Sequence, residues 1–130
     1  MKTNEKTLIP TDTIGHEVFR VIYADENYFY FLANEWFLIG KNGNHDLYNQ
    51  SSGKIYRINR DGTNCICIFE DQNIDFQKSP IAIYEDTVLV YAREIGMING
   101  IAQTWNTGIY IGTINEDGTI DSLEWVEVIA

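Results

Sequence analysis

Short runs of alternating apolar and polar positions dominate this chain, and such runs predict β-strands. Residues 28–33 (YFYFLA) are apolar throughout, which is typical of a strand covered on both faces. No stretch of ten or more residues has helical periodicity. The predicted strands are 17–24, 28–33, 35–40, 54–59, 64–70, 81–85, 87–93, 109–114 and 119–128, with loops predicted at 41–53, 71–80 and 94–107.

The six-residue pattern Ile-Asn-x-Asp-Gly-Thr occurs twice, at 58–63 and at 114–119. Asp-Gly between two alternating runs predicts a hairpin, because the turn needs positive φ, which glycine adopts without a Cβ clash. The apolar run at 81–93 also follows the pattern of 21–33 at a shift of 60 positions. The chain therefore predicts two copies of a four-stranded antiparallel meander.

These strand and turn residues resemble the YWTD-like β-propeller repeats of bacterial surface proteins, and the resemblance covers roughly 17–130. It implies blade-like meanders, but propellers close with four to eight blades, and two copies are too few. We therefore expect one all-β domain over 1–130, with its two meanders packed as a sandwich, half-barrel or partial propeller. Its predicted parts are a polar arm at 1–15, a first meander at 16–70 and a second at 71–130.

The charge of this chain is concentrated in its second half. The formal net charge is −10, and residues 61–130 carry twelve carboxylates against only Lys78 and Arg93. So negative a field repels nucleic acid and anionic lipid and attracts cationic partners. We therefore expect a basic protein as partner, with no nucleic acid and no membrane. The alternative is that acidity serves solubility alone.

Few residues suggest chemistry. His16 and His45 lack a second ligand at metal spacing, and no phosphate loop or nucleophile motif is present. Cys65 and Cys67, at i and i+2 of a strand, are poorly placed for a disulfide and are predicted to be core thiols. We expect no catalytic residues, no metal, no cofactor and no enzyme activity. Free thiols, with neither a secretory signal nor an apolar membrane span in the sequence, favour the cytoplasm.

The predicted last strand is the strongest candidate for a binding surface. Its alternation places Asp121, Leu123, Trp125 and Glu127 on one face. A tryptophan between carboxylates indicates an exposed platform, and tryptophan is a frequent interface hot spot. The alternative is that Leu123 and Trp125 pack inward while the acids stay in solvent.

Two functions follow from these observations. In size and acidity the chain resembles the small immunity proteins of bacterial toxin nucleases, which implies a non-catalytic inhibitor that occludes the active site of a cationic toxin as a monomer in a one-to-one complex. The alternative is a structural or self-assembling propeller-like module, a homo-oligomer that binds carbohydrate or peptide through Trp36, Tyr48 and Trp105. The predicted partner-binding residues are Glu85, Asp86, Trp105, Glu116, Asp117, Asp121, Glu124, Trp125 and Glu127.

Overall fold

The computed structural model describes residues 18–76 and 80–127, and every regular element in these ranges is a β-strand. The predicted all-β class is therefore confirmed. The strands form antiparallel sheets of four, five and two strands, none of which closes into a barrel. The strands are β1 (Val18–Ala24), β2 (Tyr28–Ala33), β3 (Phe37–Asn42), β4 (His45–Asn49), β5 (Lys54–Asn59), β6 (Ile66–Glu70), β7 (Ile74–Asp75), β8 (Ile81–Tyr84), β9 (Thr87–Ile98), β10 (Ile101–Thr113) and β11 (Glu124–Trp125).

The four-stranded sheet has the order β1-β2-β5-β6, which follows the chain once the β3–β4 hairpin is set aside. As its apolar run predicts, β2 is buried on both faces. Tyr30 and Leu32 enter the main core, whereas Phe31 on the opposite face stacks on Tyr56 at 5.4 Å between ring centroids. This sheet therefore has apolar contacts on both sides of its central strand.

The five-stranded sheet is built on a long β9–β10 hairpin. Its turn residues Asn99 and Gly100 have φ of 51° and 76°, the positive values of a type I′ turn. The loop predicted at 94–107 is therefore wrong. A bulge that shifts the β9–β10 register between Trp105 and Gly108 interrupts the alternation and conceals the strand.

The remaining strands of this sheet are short. β8 and β7 lie end to end along one edge of β9, and β11 pairs with Tyr110 and Ile111 on β10. Within 119–127 the strand predicted at 119–128 is wrong for most of its length, and 128 lies outside the described residues. Besides β11, its ladder pairing is one isolated bridge between Ile120 and Ile114, because one extra residue before Glu124 displaces the segment from β10.

A two-stranded hairpin of β3 and β4 is inserted between β2 and β5. The loop predicted at 41–53 is wrong because it contains β4, whose mainly polar and exposed residues lack a strand-like alternation. Gly40 of β3 lies against the Met97 side chain of β9. The β3–β4 hairpin therefore packs on the end of the β9–β10 hairpin that carries the Asn99-Gly100 turn.

The main core lies between the two larger sheets, which makes the molecule a sandwich. Ile22, Leu32 and Ile55 of one sheet pack with Val88, Val90 and Tyr110 of the other in a single cluster. A backbone bond also joins the sheets, since the Ile120 amide donates to the Ile68 carbonyl at 2.8 Å. Within the described ranges, no helix long and apolar enough to cross a bilayer is present.

Candidate functional site

The two Asp-Gly turns have nearly the same internal geometry. In the second turn the Asn115 amide donates to the Thr119 carbonyl at 2.8 Å, and Asp117 Oδ1 accepts from the Thr119 amide at 2.9 Å. The first turn repeats the same two bonds at 2.9 Å each, with Asn59, Asp61 and Thr63 in the equivalent places. The repeated sequence therefore specifies a repeated turn.

Hydrogen bonding lowers the pKa of both turn carboxylates. The Thr119 hydroxyl donates to Asp117 Oδ1 at 2.6 Å and lowers the pKa of Asp117, with the Thr119 amide as the second cause. Thr63 lowers the pKa of Asp61 in the same way. Asp117 thus has a structural task within its own turn, although its side chain is exposed.

The acidic turns of the second sheet meet at one end. The Ile114 amide donates to the Asp86 carbonyl at 2.7 Å, which ties the β8–β9 turn to the start of the second Asp-Gly turn. Glu85, Asp86, Glu116 and Asp117 are all exposed at this end. We call it the acidic end of the sheet.

The outer face of the five-stranded sheet is apolar and open. Along β9, Val88, Val90 and Ala92 enter the core, so Leu89 and Tyr91 point away from it. Their partners across the ladder are Ile111 and Ile109, and these four side chains are 39–44% exposed. Val126, next to Ile109, and Tyr84 of β8 extend this surface, which we call the open face. Four strands spaced about 4.8 Å apart make it about 15 Å wide.

Asp121 and Glu124 join the open face to the acidic end. Glu124 pairs directly with Ile111 and shares its outward direction. Asp121 Oδ1 accepts from Asn115 Nδ2 at 3.1 Å, which holds the carboxylate beside the turn. Both residues line a groove of about 350 Å³ together with Thr87, Thr113 and Asn115. Glu85, Asp86, Glu116, Asp117, Asp121 and Glu124 therefore border one continuous surface.

The two candidate tryptophans lie elsewhere. Trp105 is half-buried, with its ring against Gly96, and is eight residues from Thr113 along β10, or about 26 Å. Trp125 is 38% exposed and lies opposite Tyr110, beside Gly108. Glu127 is exposed just beyond β11. Leu123 is in the core, and Trp125 lies opposite the core residue Tyr110, so these two side chains point to the inner side of the sheet and not to the open face. Trp105 also lies outside the open face.

Arg93 and Lys54 form their ion pairs away from the acidic end, whereas Arg57 reaches it. Arg93 pairs with Asp75 at 3.0 Å, and Lys54 lies 3.5 Å from Glu35 and 3.9 Å from Glu70. Arg57 packs over Tyr28 and lies against Gly118. Within 18–76 and 80–127, no lysine or arginine forms an ion pair with the six acids that border the open face.

Sequence reasoning missed a buried polar cluster at the base of the β3–β4 hairpin. The Tyr56 hydroxyl donates to one oxygen of the buried Glu35 carboxylate at 2.9 Å, and Lys54 Nζ donates to the other oxygen at 3.5 Å. Burial, and secondarily the bond to Glu35, raises the pKa of Tyr56. Asn49, also fully buried, donates to the Gln72 and Ile74 carbonyls. No local pattern indicated this cluster, since its members meet only through the inserted hairpin.

The cysteines differ from the predicted core pair. Cys65 is half-buried against the smaller apolar cluster of the first sheet, but Cys67 is exposed. Burial raises the pKa of the Cys65 thiol, and partial desolvation together with the Glu70 carboxylate raises that of Cys67. In the part of the chain that the structure describes, no group of three or more His, Cys, Asp or Glu side chains is arranged to hold a metal ion.

The fold and this surface define an all-β antiparallel sandwich with an open, acid-bordered sheet face. Comparisons with protein-family models, with curated proteins and with solved structures found no match.

Proposed function

We propose that this chain is a non-catalytic protein-binding module that binds a basic protein through its open face. In its most specific form, it is a cytoplasmic immunity protein that neutralises a cationic toxin, such as a nuclease, by covering the toxin's active site. The observation that carries the proposal is the juxtaposition of an exposed apolar sheet face with carboxylates that form no ion pair within the described ranges.

The two parts of this surface have different physical tasks. Leu89, Tyr91, Ile109 and Ile111 present apolar area, whose burial is the main favourable term in association. The carboxylates around them increase the association rate of a positive partner and disfavour anionic ones. An apolar centre with a polar rim is the usual anatomy of a specific protein interface.

A nuclease cleft suits such a surface because it is positive in order to hold phosphates. Carboxylates on a rigid sheet can occupy those cationic positions in place of nucleic acid. Glu85, Asp86, Glu116, Asp121 and Glu124 are the residues we assign to this role. Trp125 points to the inner side of the sheet and Glu127 is exposed beyond β11, so neither is assigned to it. Asp117 contributes charge while it holds its turn, and Trp105 lies outside the proposed interface.

Charge reversal tests the proposal. A catalytically inactive variant of a basic nuclease that the chain binds is immobilised, and association rates of the present chain are measured by surface plasmon resonance over a range of salt concentrations. We expect the double variant Asp121→Lys, Glu124→Lys to associate at least about tenfold more slowly at low salt, with a weaker salt dependence.

The matched control is Glu26→Lys, which reverses an exposed acid in the β1–β2 turn of the other sheet. This control variant should associate at close to the unmodified rate. Equal rates for the chain, the double variant and the control would contradict the proposal that the open face is the interface.

A second function is favoured by one specific observation. Trp36, which is 61% exposed, meets Tyr48 edge to face at 6.0 Å between ring centroids on the β3–β4 hairpin. An exposed aromatic pair can bind carbohydrate or peptide, which are the ligands of the alternative, self-assembling propeller-like module. A defined oligomer in sedimentation, together with glycan-induced quenching that Trp36→Ala abolishes, would favour this function over the first.

A further inference from the structure

The groove beside the acidic end has a defined floor and walls. Ile111 forms the apolar part, with Thr87 and Thr113 as a hydroxyl-bearing pair directly opposite each other on β9 and β10. Asp121 and Glu124 bring carboxylates from the segment that returns along β10. At about 350 Å³, the groove has room for a single extended side chain.

The polar atoms of this groove are mainly acceptors. Asn115 donates through Nδ2 to Thr119 Oγ1 and to Asp121 Oδ1, at 3.1 Å each, so its Oδ1 remains as an acceptor. Glu124 makes no ion pair in the described ranges, and Asp121 accepts only from Asn115 there. The groove lining therefore contains no cationic group, and an occupant would have to supply the positive charge.

We propose that this groove receives one arginine side chain of the basic protein partner; the inference rests on the proposed function. The aliphatic stem of arginine packs on Ile111, and the guanidinium donates to Asp121, Glu124 and the amide oxygen of Asn115. Arginine fits better than lysine because its five planar donors match acceptors that lie on different elements. Arginine is also enriched at the cores of protein interfaces.

Small probes test the groove without the partner. The 15N-labelled chain is titrated with the Nα-acetyl methylamides of arginine, lysine and norleucine while backbone and Asn115 side-chain amide shifts are recorded. We expect the arginine probe to shift resonances at Gly112, Thr113, Asn115 and Ser122 in a saturable manner, the lysine probe to bind several-fold more weakly, and the norleucine probe to leave them unshifted.

The test variant is the double change Asp121→Asn, Glu124→Gln, which removes both charges and retains the Asp121 oxygen that accepts from Asn115. It should bind the arginine probe at least tenfold more weakly. The control Glu26→Gln removes an exposed charge from the β1–β2 turn of the other sheet, away from the groove lining, and should bind the probe within twofold of the unmodified chain.

Three results would overturn the inference: equal shifts with norleucine, lysine binding as tight as arginine binding, or equal weakening of arginine binding in Glu26→Gln. The proposed function fails separately. If the arginine probe occupies the groove but the basic protein does not bind the open face, the proposed function is wrong and the groove is still an arginine-binding site. If that protein binds and Asp121→Asn, Glu124→Gln leaves its affinity unchanged, the groove has no part in the interface.

Discussion

At the scale of single residues, the aspartates of the two Asp-Gly turns combine structural and electrostatic tasks. Asp61 and Asp117 each accept from the amide and the hydroxyl of the threonine two residues later. These bonds favour the ionised carboxylate, so the pKa of each aspartate lies below its ordinary value of 3.8. The turns therefore contribute a dependence of stability on pH.

The sign of that dependence follows from the lowered pKa values. Between the folded and the unfolded pKa the unfolded chain binds more protons, so this part of the stability is present above 3.8 and is lost as pH falls through the folded value. The double variant Asp61→Asn, Asp117→Asn keeps the acceptors but removes the charge. We expect its melting temperature to lie below that of the unmodified chain at about pH 5, and the difference to narrow by about pH 2.5.

Thermal unfolding followed by circular dichroism across this pH range measures the effect. Glu26→Gln, a neutralised acid outside both turns, controls for general charge repulsion and should show no comparable narrowing. A difference between the double variant and the unmodified chain that stays constant down to the lowest pH would argue against the turn carboxylates as its source.

At the scale of elements, the segment from Ile120 to β11 depends on a close approach to Gly112. A Cβ at this position would lie 2.7 Å from the Ser122 carbonyl oxygen and 2.8 Å from Leu123 Cδ2. The first of these atoms belongs to the backbone and cannot move without displacing the segment. Gly112 therefore allows the extra residue before Glu124 to be accommodated and holds one wall of the groove.

We predict that Gly112→Ala destabilises the fold by about 1–3 kcal/mol, the usual cost of overpacking. Urea denaturation measures this free energy, and amide shifts of 120–125 report the displaced segment. Gly100→Ala is the control, because its Cβ would meet nothing within 4 Å and only its φ of +76° opposes the change. Loss of stability no greater than in this control, with unchanged shifts at 120–125, would show that the segment does not depend on Gly112.

At the scale of the whole molecule, the two large sheets are stabilised by one shared core. Leu32 of the first sheet is fully buried in the same cluster as Val88 and Tyr110 of the second. The bond from the Ile120 amide to the Ile68 carbonyl adds a backbone connection between them. Unfolding of either sheet would expose the inner apolar face of the other sheet to solvent. We therefore expect the two sheets to unfold together.

We predict that Leu32→Ala lowers the free energy of unfolding by about 2–5 kcal/mol, as expected for a large cavity in a core. Trp105 and Trp125 lie in the other sheet, so their fluorescence reports the unfolding of that sheet, whereas far-ultraviolet circular dichroism reports both sheets. The two transitions should still coincide, because the sheets share one core. Leu38→Ala, at a site 44% exposed, should cost much less. Two separated transitions would show that the sheets fold independently.

The sequence by itself determined the features that depend on neighbours along the chain. Alternation predicted the all-β class, and the apolar run at 28–33 predicted the doubly buried β2, because side chains alternate across any strand. The Asp-Gly turns were predictable because their hydrogen bonds lie within five residues. The turn at Asn99-Gly100 was equally predictable from the sequence. The hairpin around it was missed because the bulge after Trp105 interrupts the alternation of apolar and polar positions in β10.

The tertiary structure alone decided which surfaces remain open. Along β9 both faces are largely apolar, and alternation cannot tell that Val90 is covered by the other sheet while Tyr91 is left in solvent. The meeting of Asp86 with Ile114, and of Glu124 with Ile111, likewise depends on strand pairing between distant segments. Local conformation follows from adjacent residues, but burial and the grouping of charges follow from packing against elements far away in the chain.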